Sequence, residues 1–288
     1  MCVLLKTTPL ERKPHRDMDV SGCNIDRLQA YQTTPLYRSH RAIESLGMVY
    51  KTHYPSHAMQ TARNCKRAPL HERLVSQRAY FRDVSGWESP GWYAPEGVEP
   101  VVHEDKRTGW WERENWFPYW VAEHDTCRNK VALIDMSFMS KFLVQGNSAG
   151  AVLQRMCTAN VNGPCNMITY TQLLNVDGRL EADITVAKLE EDKFMVVATD
   201  TAHRHVETLL KRHVKDTASH AFVTDVTGAL AQINIQGPLA RKFMQLVTDT
   251  VYYIYLCVHV YIFIYIYIYI YKYINMHNYI IVYRRIIF

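Results

Sequence analysis

The 288-residue sequence lacks the short motifs that mark most nucleotide-dependent and metal-dependent enzymes. Its twelve glycines form neither a G-x-G dinucleotide turn nor a G-x-x-x-x-G-K phosphate loop. It contains no H-E-x-x-H zinc helix. The seven cysteines include no C-x-x-C pair, so we predict neither a metal site nor a disulfide framework. A reducing compartment fits this cysteine usage better than an oxidising one.

An excess of charge of one sign is also missing from most of the chain. The first 250 residues carry 30 basic and 28 acidic side chains, which gives no support to nucleic-acid binding. Lys272, Arg284 and Arg285 supply +3 of the net charge of +5. The first twenty residues have no apolar run of signal-peptide type and no clear transit peptide, so we expect no secretory signal.

Residues 251–288 differ in composition from everything before them. They hold 11 Tyr and 11 Ile, with strict Ile-Tyr alternation from Ile264 to Tyr271. An alternating A/T microsatellite gives this repeat when it is translated, and a Val codon begins with the GT of a splice donor. We therefore expect the tail to be translated non-coding sequence and the preceding domain to be cut short. A membrane anchor is the alternative, since 251–270 has spanning length, but alternation would place many phenols at bilayer depth.

The composition divides the rest of the chain into three segments. Residues 1–23 are irregular, and residues 24–84 form a polar, basic connector with helices expected around 24–32, 39–46 and from Pro69. Residues 85–250 form a mixed domain that opens with aromatic, Pro- and Gly-rich sequence. We expect those rings to pack a long connector against a neighbouring domain, with a stacking surface for a planar ligand as the alternative.

Periodicity within the mixed domain predicts alternating elements. Strands are expected over 131–134, 141–144, 168–174, 180–188, 194–198 and 229–235, and helices over 151–157, 202–214 and 239–247. Asn147 and Asp200 are placed to cap two of the helices. A Val-Asp-Gly turn joins the third and fourth strands as a hairpin. The order predicts an α+β fold with a mixed, largely antiparallel sheet.

Asp183 is the acid with the strongest signal for chemistry. Alternation along its strand puts Leu180, Ala182 and Ile184 on one face and Glu181 and Asp183 on the other. Carboxylates are depleted in the middle of strands, so Asp183 either lies on a solvated face or lines a ligand pocket. In a pocket it could pair with a protonated amine or take a proton from nitrogen. His203 and His205 have no such context, and we expect them to be solvated.

Several longer motifs resemble known families. The segment 132–142 (ALIDMSFMSKF), the hairpin 170–186 (YTQLLNVDGRLEADITV) and 235–238 (IQGP) together resemble the folate-binding domain of the glycine-cleavage aminomethyltransferase family. Upstream, 17–28 (DMDVSGCNIDRL), 67–74 (RAPLHERL) and 86–93 (GWESPGWY) resemble the central segment of sarcosine dehydrogenases, within the dimethylglycine/sarcosine dehydrogenase family. The resemblance covers about residues 15–250.

The resemblance implies a function for these segments. The family oxidises an N-methyl group with FAD and captures the one-carbon unit on tetrahydrofolate, which yields glycine and methylenetetrahydrofolate in the mitochondrial matrix. The resemblance implies that Asp183 is the folate-side carboxylate and that Tyr170 lines the folate pocket. Residues 24–84 would be the central segment of an FAD-dependent oxidoreductase, and 85–250 an incomplete folate domain. The expected partners are folate and a small imine.

The resemblance leaves competing hypotheses. The FAD domain and the later segments of the folate domain have no counterpart in this sequence, so we expect no oxidase activity and impaired folate binding from it alone. A non-enzymatic relative, such as the regulatory subunit of pyruvate dehydrogenase phosphatase, has the same architecture. A tail-anchored membrane protein is the third hypothesis.

Overall fold

The computed structural model describes residues 27–52, 57–102, 113–175, 177–216, 220–247 and 262–264. The chain divides into two compact units, each made from two separate stretches of sequence. Residues 1–43 and 139–227 form the first unit, and residues 44–138 and 228–288 form the second. Short 3-10 helices lie at Ala30–Thr33 and Asp200–Ala202.

The first unit contains a five-stranded sheet with the order β5-β6-β7-β4-β8, and every neighbouring pair is antiparallel. Its strands are β4 (Ser140–Gln145), β5 (Ile168–Leu174), β6 (Leu180–Glu190), β7 (Lys193–Ala198) and β8 (Phe222–Asp225). Helices α4 (Ala149–Met156) and α5 (His203–Asp216) belong to the same unit. The antiparallel α+β class predicted from the sequence is therefore confirmed.

The core of the first unit forms because strands and helices each present one apolar face. Alternate residues of β4, β6 and β7 contribute to this core, and the helices add Leu153, Val206 and Leu210. The fully or almost fully buried strand residues in this cluster include Phe142, Val144, Ile184, Val186, Phe194 and Val196. Each such side chain stabilises the fold by about 1.5–3 kcal/mol relative to exposure.

The second unit contains two smaller sheets. A hairpin pairs β1 (Ala79–Val84) with β2 (Trp87–Tyr93), and a second sheet has the order β10-β9-β3. The strands of that sheet are β3 (Ala132–Asp135), β9 (Ile233–Gln236) and β10 (Ile262–Ile264). The unit also contains helices α2 (His71–Ser76), α3 (Phe117–Asn129) and α6 (Ala240–Val247). Helix α1 (Pro35–Met48) contains the point, between Ile43 and Glu44, at which the chain passes from the first unit to the second.

Two stretches of the chain have the same local design. In each, a short strand ends at an aspartate whose carboxylate accepts a hydrogen bond from the backbone two residues later, at Ser137 or Thr227, over 2.9 Å. Each then continues to a strand that ends in Gln-Gly and is followed by a helix. The pairing is exchanged, because β3 pairs with β9 and β4 pairs with β8.

The glycine of each Gln-Gly step is required by its geometry. Gly146 has φ +123° and Gly237 has φ +118°, in the region that only glycine adopts readily. A Cβ at Gly146 would lie 2.5 Å from the carbonyl oxygen of His220, and one at Gly237 would lie 2.4 Å from that of Lys130. At both positions the chain therefore passes close to the backbone just before a strand, β8 at Gly146 and β3 at Gly237.

Several expectations about individual elements need correction. The segment 24–32 contains only the start of a 3-10 helix within its described part, and the predicted strand 229–235 shortens to β9. Asn147 does not cap its helix, because the N-cap position is Ser148, without a side-chain cap bond. The aromatic segment predicted as a connector forms β2 and its hairpin, and β8 and α3 were not predicted. Within the described residues, no helix has the length and hydropathy to cross a bilayer.

Candidate functional site

Asp183 and Tyr170 lie together on the outward face of the β5–β6 hairpin. Tyr170 pairs with Thr185 across the ladder, so Asp183 is its diagonal neighbour. The Tyr170 hydroxyl donates a hydrogen bond to Oδ2 of Asp183 over 3.1 Å. Tyr170 is 63% exposed and Asp183 is exposed as well. The structure thus brings together the two residues that the sequence singled out, on a surface that a ligand can reach.

The same sheet face is exposed at β5 and buried at β4. The row that starts at Tyr170 continues through Thr185 and Val197 to Lys141, because these residues are paired in register across four strands. Lys141 is fully buried, and its Nζ donates to the carbonyl oxygen of Met139 over 2.6 Å. Two strand spacings separate Lys141 from Thr185, about 10 Å. Lys141 is not among the residues singled out from sequence, although a charge inside an apolar strand is the same signal that points to Asp183.

The Tyr170–Asp183 pair has defined chemical abilities. An exposed carboxylate accepts hydrogen bonds from the N–H groups of a ligand, and it can take a proton from nitrogen. The phenol orients the carboxylate and offers an aromatic ring beside it for a planar ligand. Gln172, directly opposite Asp183, adds an amide that both donates and accepts. This combination suits a flat heterocycle with several N–H groups.

Glu181 does not share the face of Asp183, contrary to the alternation expected from sequence. The pairing slips between Leu173 and Leu174, and this irregularity leaves Glu181 without a partner on β5. Its carboxylate contacts Nε2 of His205 on α5 over 2.7 Å. Leu180, expected on the buried face, is 64% exposed for the same reason.

A serine, a histidine and an aspartate meet at the other side of the sheet. Nδ1 of His203 lies 2.9 Å from Oγ of Ser140, and Nε2 lies 3.2 Å from Oδ2 of Asp225. The expectation that His203 is solvated is wrong, since it is only 7% exposed. Ser140 is fully buried and bonds to the carbonyl oxygen of Thr199, so it cannot reach a substrate. The three residues tie α5 to β4 and β8 and do not form a hydrolase triad.

Asp225 gives this cluster a pH dependence. Burial raises the pKa of Asp225, but hydrogen bonds from His203 and Thr227 outweigh burial and hold the pKa below its ordinary value. Because the pKa of Asp225 is lower in the folded state, its carboxylate stabilises the fold at pH values above the unfolded pKa of about 3.9. This contribution to the free energy of unfolding is lost as the pH falls below that value. We expect Asp225→Asn to lower the free energy of unfolding at pH 7 by about 1 kcal/mol, a value discounted because the carboxylate is 39% exposed.

Urea unfolding at pH 7, 5 and 3 measures this effect. The difference between wild type and Asp225→Asn should shrink between pH 5 and pH 3, whereas the exposed control Asp192→Asn should stay within about 0.5 kcal/mol throughout. A difference that is equal at all three pH values would contradict this role for Asp225.

The described residues offer little support for metal or thiol chemistry. No group of three His, Cys, Asp or Glu side chains among them could hold a metal ion. Burial raises the pKa of the Cys157 thiol to about 12, so it is not a nucleophile at neutral pH.

Comparison with known proteins identifies two family models in this chain. The model described as the GCVT N-terminal domain matches residues 70–254. The model described as the FAD dependent oxidoreductase central domain matches residues 15–68.

Individual relatives agree with these matches. A 4-methylaminobutanoate oxidase (formaldehyde-forming) from Paenarthrobacter nicotinovorans is 34% identical over 80% of this chain and 27% of its own length. Human mitochondrial sarcosine dehydrogenase is 29% identical over 82% of this chain and 29% of its length. The mouse mitochondrial pyruvate dehydrogenase phosphatase regulatory subunit is 28% identical over 75% of this chain and 25% of its own length. This chain therefore spans about a quarter of the length of these relatives.

Among solved structures, the glycine cleavage system aminomethyltransferase T from Bartonella henselae is similar. It is 22% identical with a TM-score of 0.49, over 63% of this chain and 43% of that chain.

Proposed function

Because this chain belongs to the family described as the GCVT N-terminal domain, we propose that it binds tetrahydrofolate and presents it to a one-carbon unit. The observation that carries the proposal is the hydrogen-bonded pair of Tyr170 and Asp183 on an exposed sheet face. Family membership supports a folate as the ligand class, and the exposed pair supports this sheet face as its binding site. The ligand would be the acceptor of a one-carbon group released from an N-methyl amine.

Asp183 would act on the nitrogen atoms of the ligand. Its carboxylate accepts hydrogen bonds from the pterin and p-aminobenzoyl N–H groups, and it takes up the proton that leaves nitrogen when the one-carbon unit is attached. Tyr170 orients that carboxylate through its hydroxyl. Holding the acceptor beside an electrophilic imine makes capture effectively intramolecular and keeps water from competing.

The names of two relatives support a proposal for the substrate class. Sarcosine and 4-methylaminobutanoate are both N-methyl amino acids, and they differ in the distance between nitrogen and carboxylate. We propose an N-methyl amino acid as the source of the one-carbon unit, with sarcosine as the narrower proposal and the mitochondrial matrix as its place. The oxidation itself uses FAD in that family. These 288 residues contain no G-x-G turn for a dinucleotide, so no oxidation step is assigned to them.

A second function is supported by one relative. The pyruvate dehydrogenase phosphatase regulatory subunit is similar over three quarters of this chain, and its name describes regulation, not catalysis. A chain of that kind would bind a partner protein and need no one-carbon chemistry. Binding of tetrahydrofolate separates the two proposals.

Isothermal titration of the purified full chain with tetrahydrofolate, under anaerobic conditions, tests the first proposal. We expect saturable binding at one site, and no binding of FAD in a parallel titration. Far-ultraviolet circular dichroism on the same sample establishes that the protein is folded. A folded chain that gives no heat with tetrahydrofolate would reject the proposal and favour the regulatory function.

A further inference from the structure

Gln172 lies opposite Asp183 on the outward face of the β5–β6 hairpin. The two residues are directly paired across the ladder, so their Cβ atoms are about 4.5–5.5 Å apart. Tyr170, two residues before Gln172 on the same strand, points to the same side of the sheet. Gln172 is half-buried and Asp183 is exposed. A ligand that reaches the carboxylate therefore meets the amide beside it.

Thr158 fixes which end of the Gln172 amide faces that ligand. It lies on the segment that borders β5, where its backbone nitrogen donates to the carbonyl oxygen of Gln172 over 3.1 Å. Its hydroxyl accepts a hydrogen bond from the backbone nitrogen of Gln172 over 3.4 Å and donates to Oε1 over 3.2 Å. The oxygen of the amide is therefore occupied. Its Nε2 makes no hydrogen bond within the part of the chain that the structure describes, so it is available as a donor.

A second hydroxyl supports this orientation of the amide. Oγ1 of Thr171 lies 3.3 Å from Oγ1 of Thr158 and accepts a hydrogen bond from the backbone nitrogen of Ala159 over 3.0 Å. The hydroxyl of Thr171 can then donate to Thr158, whose own proton goes to Oε1 of Gln172. Hydrogen bonds in such a chain polarise and strengthen one another. The amide is thus oriented by a chain that begins at the backbone.

The amide and the carboxylate together present a donor beside an acceptor. Nε2 of Gln172 only donates, and the ionised carboxylate of Asp183 only accepts. One edge of a 4-oxo tetrahydropterin is complementary to this pair, because its N5–H group donates and the neighbouring oxygen on C4 accepts. A 4-amino pterin carries an amino group on C4, which would turn its hydrogens toward those of Gln172. The pair therefore distinguishes the two kinds of pterin.

We propose that Gln172 determines the specificity of this site for 4-oxo pterins and that Thr158 is the residue that positions it. The oxygen on C4 accepts a hydrogen bond from Nε2 of Gln172, while N5 lies against Asp183. The inference rests on the proposed function, which supplies the folate as ligand and Asp183 as its contact. Because the oxygen is fixed beside N5 in the ring, the same hydrogen bond holds N5 at the carboxylate that takes its proton.

Two reduced pterins that differ at C4 test the specificity. Tetrahydrofolate carries an oxygen there, and tetrahydroaminopterin carries an amino group. In anaerobic titration calorimetry we expect the full chain to bind tetrahydrofolate about tenfold more tightly, because a donor that faces a donor forfeits one hydrogen bond. Equal affinities would overturn the inference and leave the proposed function in place. A folded chain that binds neither pterin would reject the proposed function, and the inference with it.

The variant Gln172→Met keeps the length of the side chain and removes the amide. We expect the ratio of the two affinities to fall from about ten to about one, because nothing then reads the group on C4. The control Gln145→Met removes the same amide at the far end of β4, and its ratio should equal that of the wild type. If Gln172→Met keeps the wild-type ratio, another residue distinguishes the pterins and the inference is wrong.

Thr158→Val tests the positioning role. Without the hydroxyl the amide can turn its oxygen toward an amino group on C4, so the ratio should fall about threefold or more. Thr158→Ser retains the hydroxyl and should restore the ratio. A merely structural role for Thr158 would weaken both pterins equally and leave the ratio unchanged. That result, in a variant whose circular dichroism matches the wild type, would reject Thr158 as the positioning residue.

Discussion

Replacing Asp183 by asparagine is expected to weaken tetrahydrofolate binding by about 10- to 100-fold. Hydrogen bonds to a charged group contribute about 1.5–3 kcal/mol, which corresponds to that range of affinity. The amide of asparagine keeps the shape of the side chain but carries no negative charge and cannot take a proton. Tyr170→Phe removes only the hydroxyl that orients the carboxylate over 3.1 Å, so its effect should be smaller, about 3- to 10-fold.

The matched control is Glu190→Gln, which removes one negative charge from the same strand. Glu190 lies at the far end of β6, where its Oε1 accepts a hydrogen bond from Lys193 over 3.0 Å. Its affinity for tetrahydrofolate should equal that of the wild type. Anaerobic titration calorimetry of all four proteins measures these constants. Equal affinity for Asp183→Asn and wild type would place the ligand elsewhere on the chain.

Gly146→Ala is expected to lower the free energy of unfolding by about 3 kcal/mol or more. A residue with a side chain at this φ costs about 1–3 kcal/mol in backbone strain alone. The added Cβ would also meet the carbonyl oxygen of His220 at 2.5 Å. That oxygen is held in place, since it accepts a hydrogen bond from the nitrogen of Ser148 over 3.1 Å. Relief of the clash would therefore separate β8 from the start of α4.

Urea or thermal unfolding, followed by circular dichroism, measures the effect. The control is Gly47→Ala in α1, where a Cβ has no neighbour within 4 Å. That variant should be unchanged or more stable by up to about 1 kcal/mol, because alanine is the better helix former. If Gly146→Ala unfolds at the same urea concentration as the wild type, the close approach to His220 does not constrain the fold.

Some of this fold could be predicted from sequence because its signals are local. The strand Ile168–Leu174 was predicted with its observed bounds, and Val206 and Leu210 of α5 are buried as their helical spacing predicts. Elements with mixed signals were missed. Strand β2 contains Pro90 and Gly91, residues that weaken a strand prediction, and the pairing shifts at the neighbouring Phe81 to accommodate them.

The candidate site was predictable only in part. Asp183 is marked by its charge in mid-strand and Tyr170 by the resemblance to a known family, and their diagonal contact follows from the hairpin register. The position of Lys141 depends on which strands are neighbours, and the order β5-β6-β7-β4-β8 cannot be obtained from one sequence. The burial of His203 likewise depends on Ser140 and Asp225, which are 63 and 22 residues away along the chain.

The exchanged strand pairing affects how the chain folds while it is being synthesised. The chain leaves the second unit after β3, completes the first unit between residues 139 and 227, and only then returns to supply β9. A nascent chain therefore holds β3 without its ladder partner until some hundred further residues have been synthesised. Domains usually fold as they emerge, N-terminal first. Here the stretch that is made later closes its sheet earlier, and the strand that was made first waits until β9 has been synthesised.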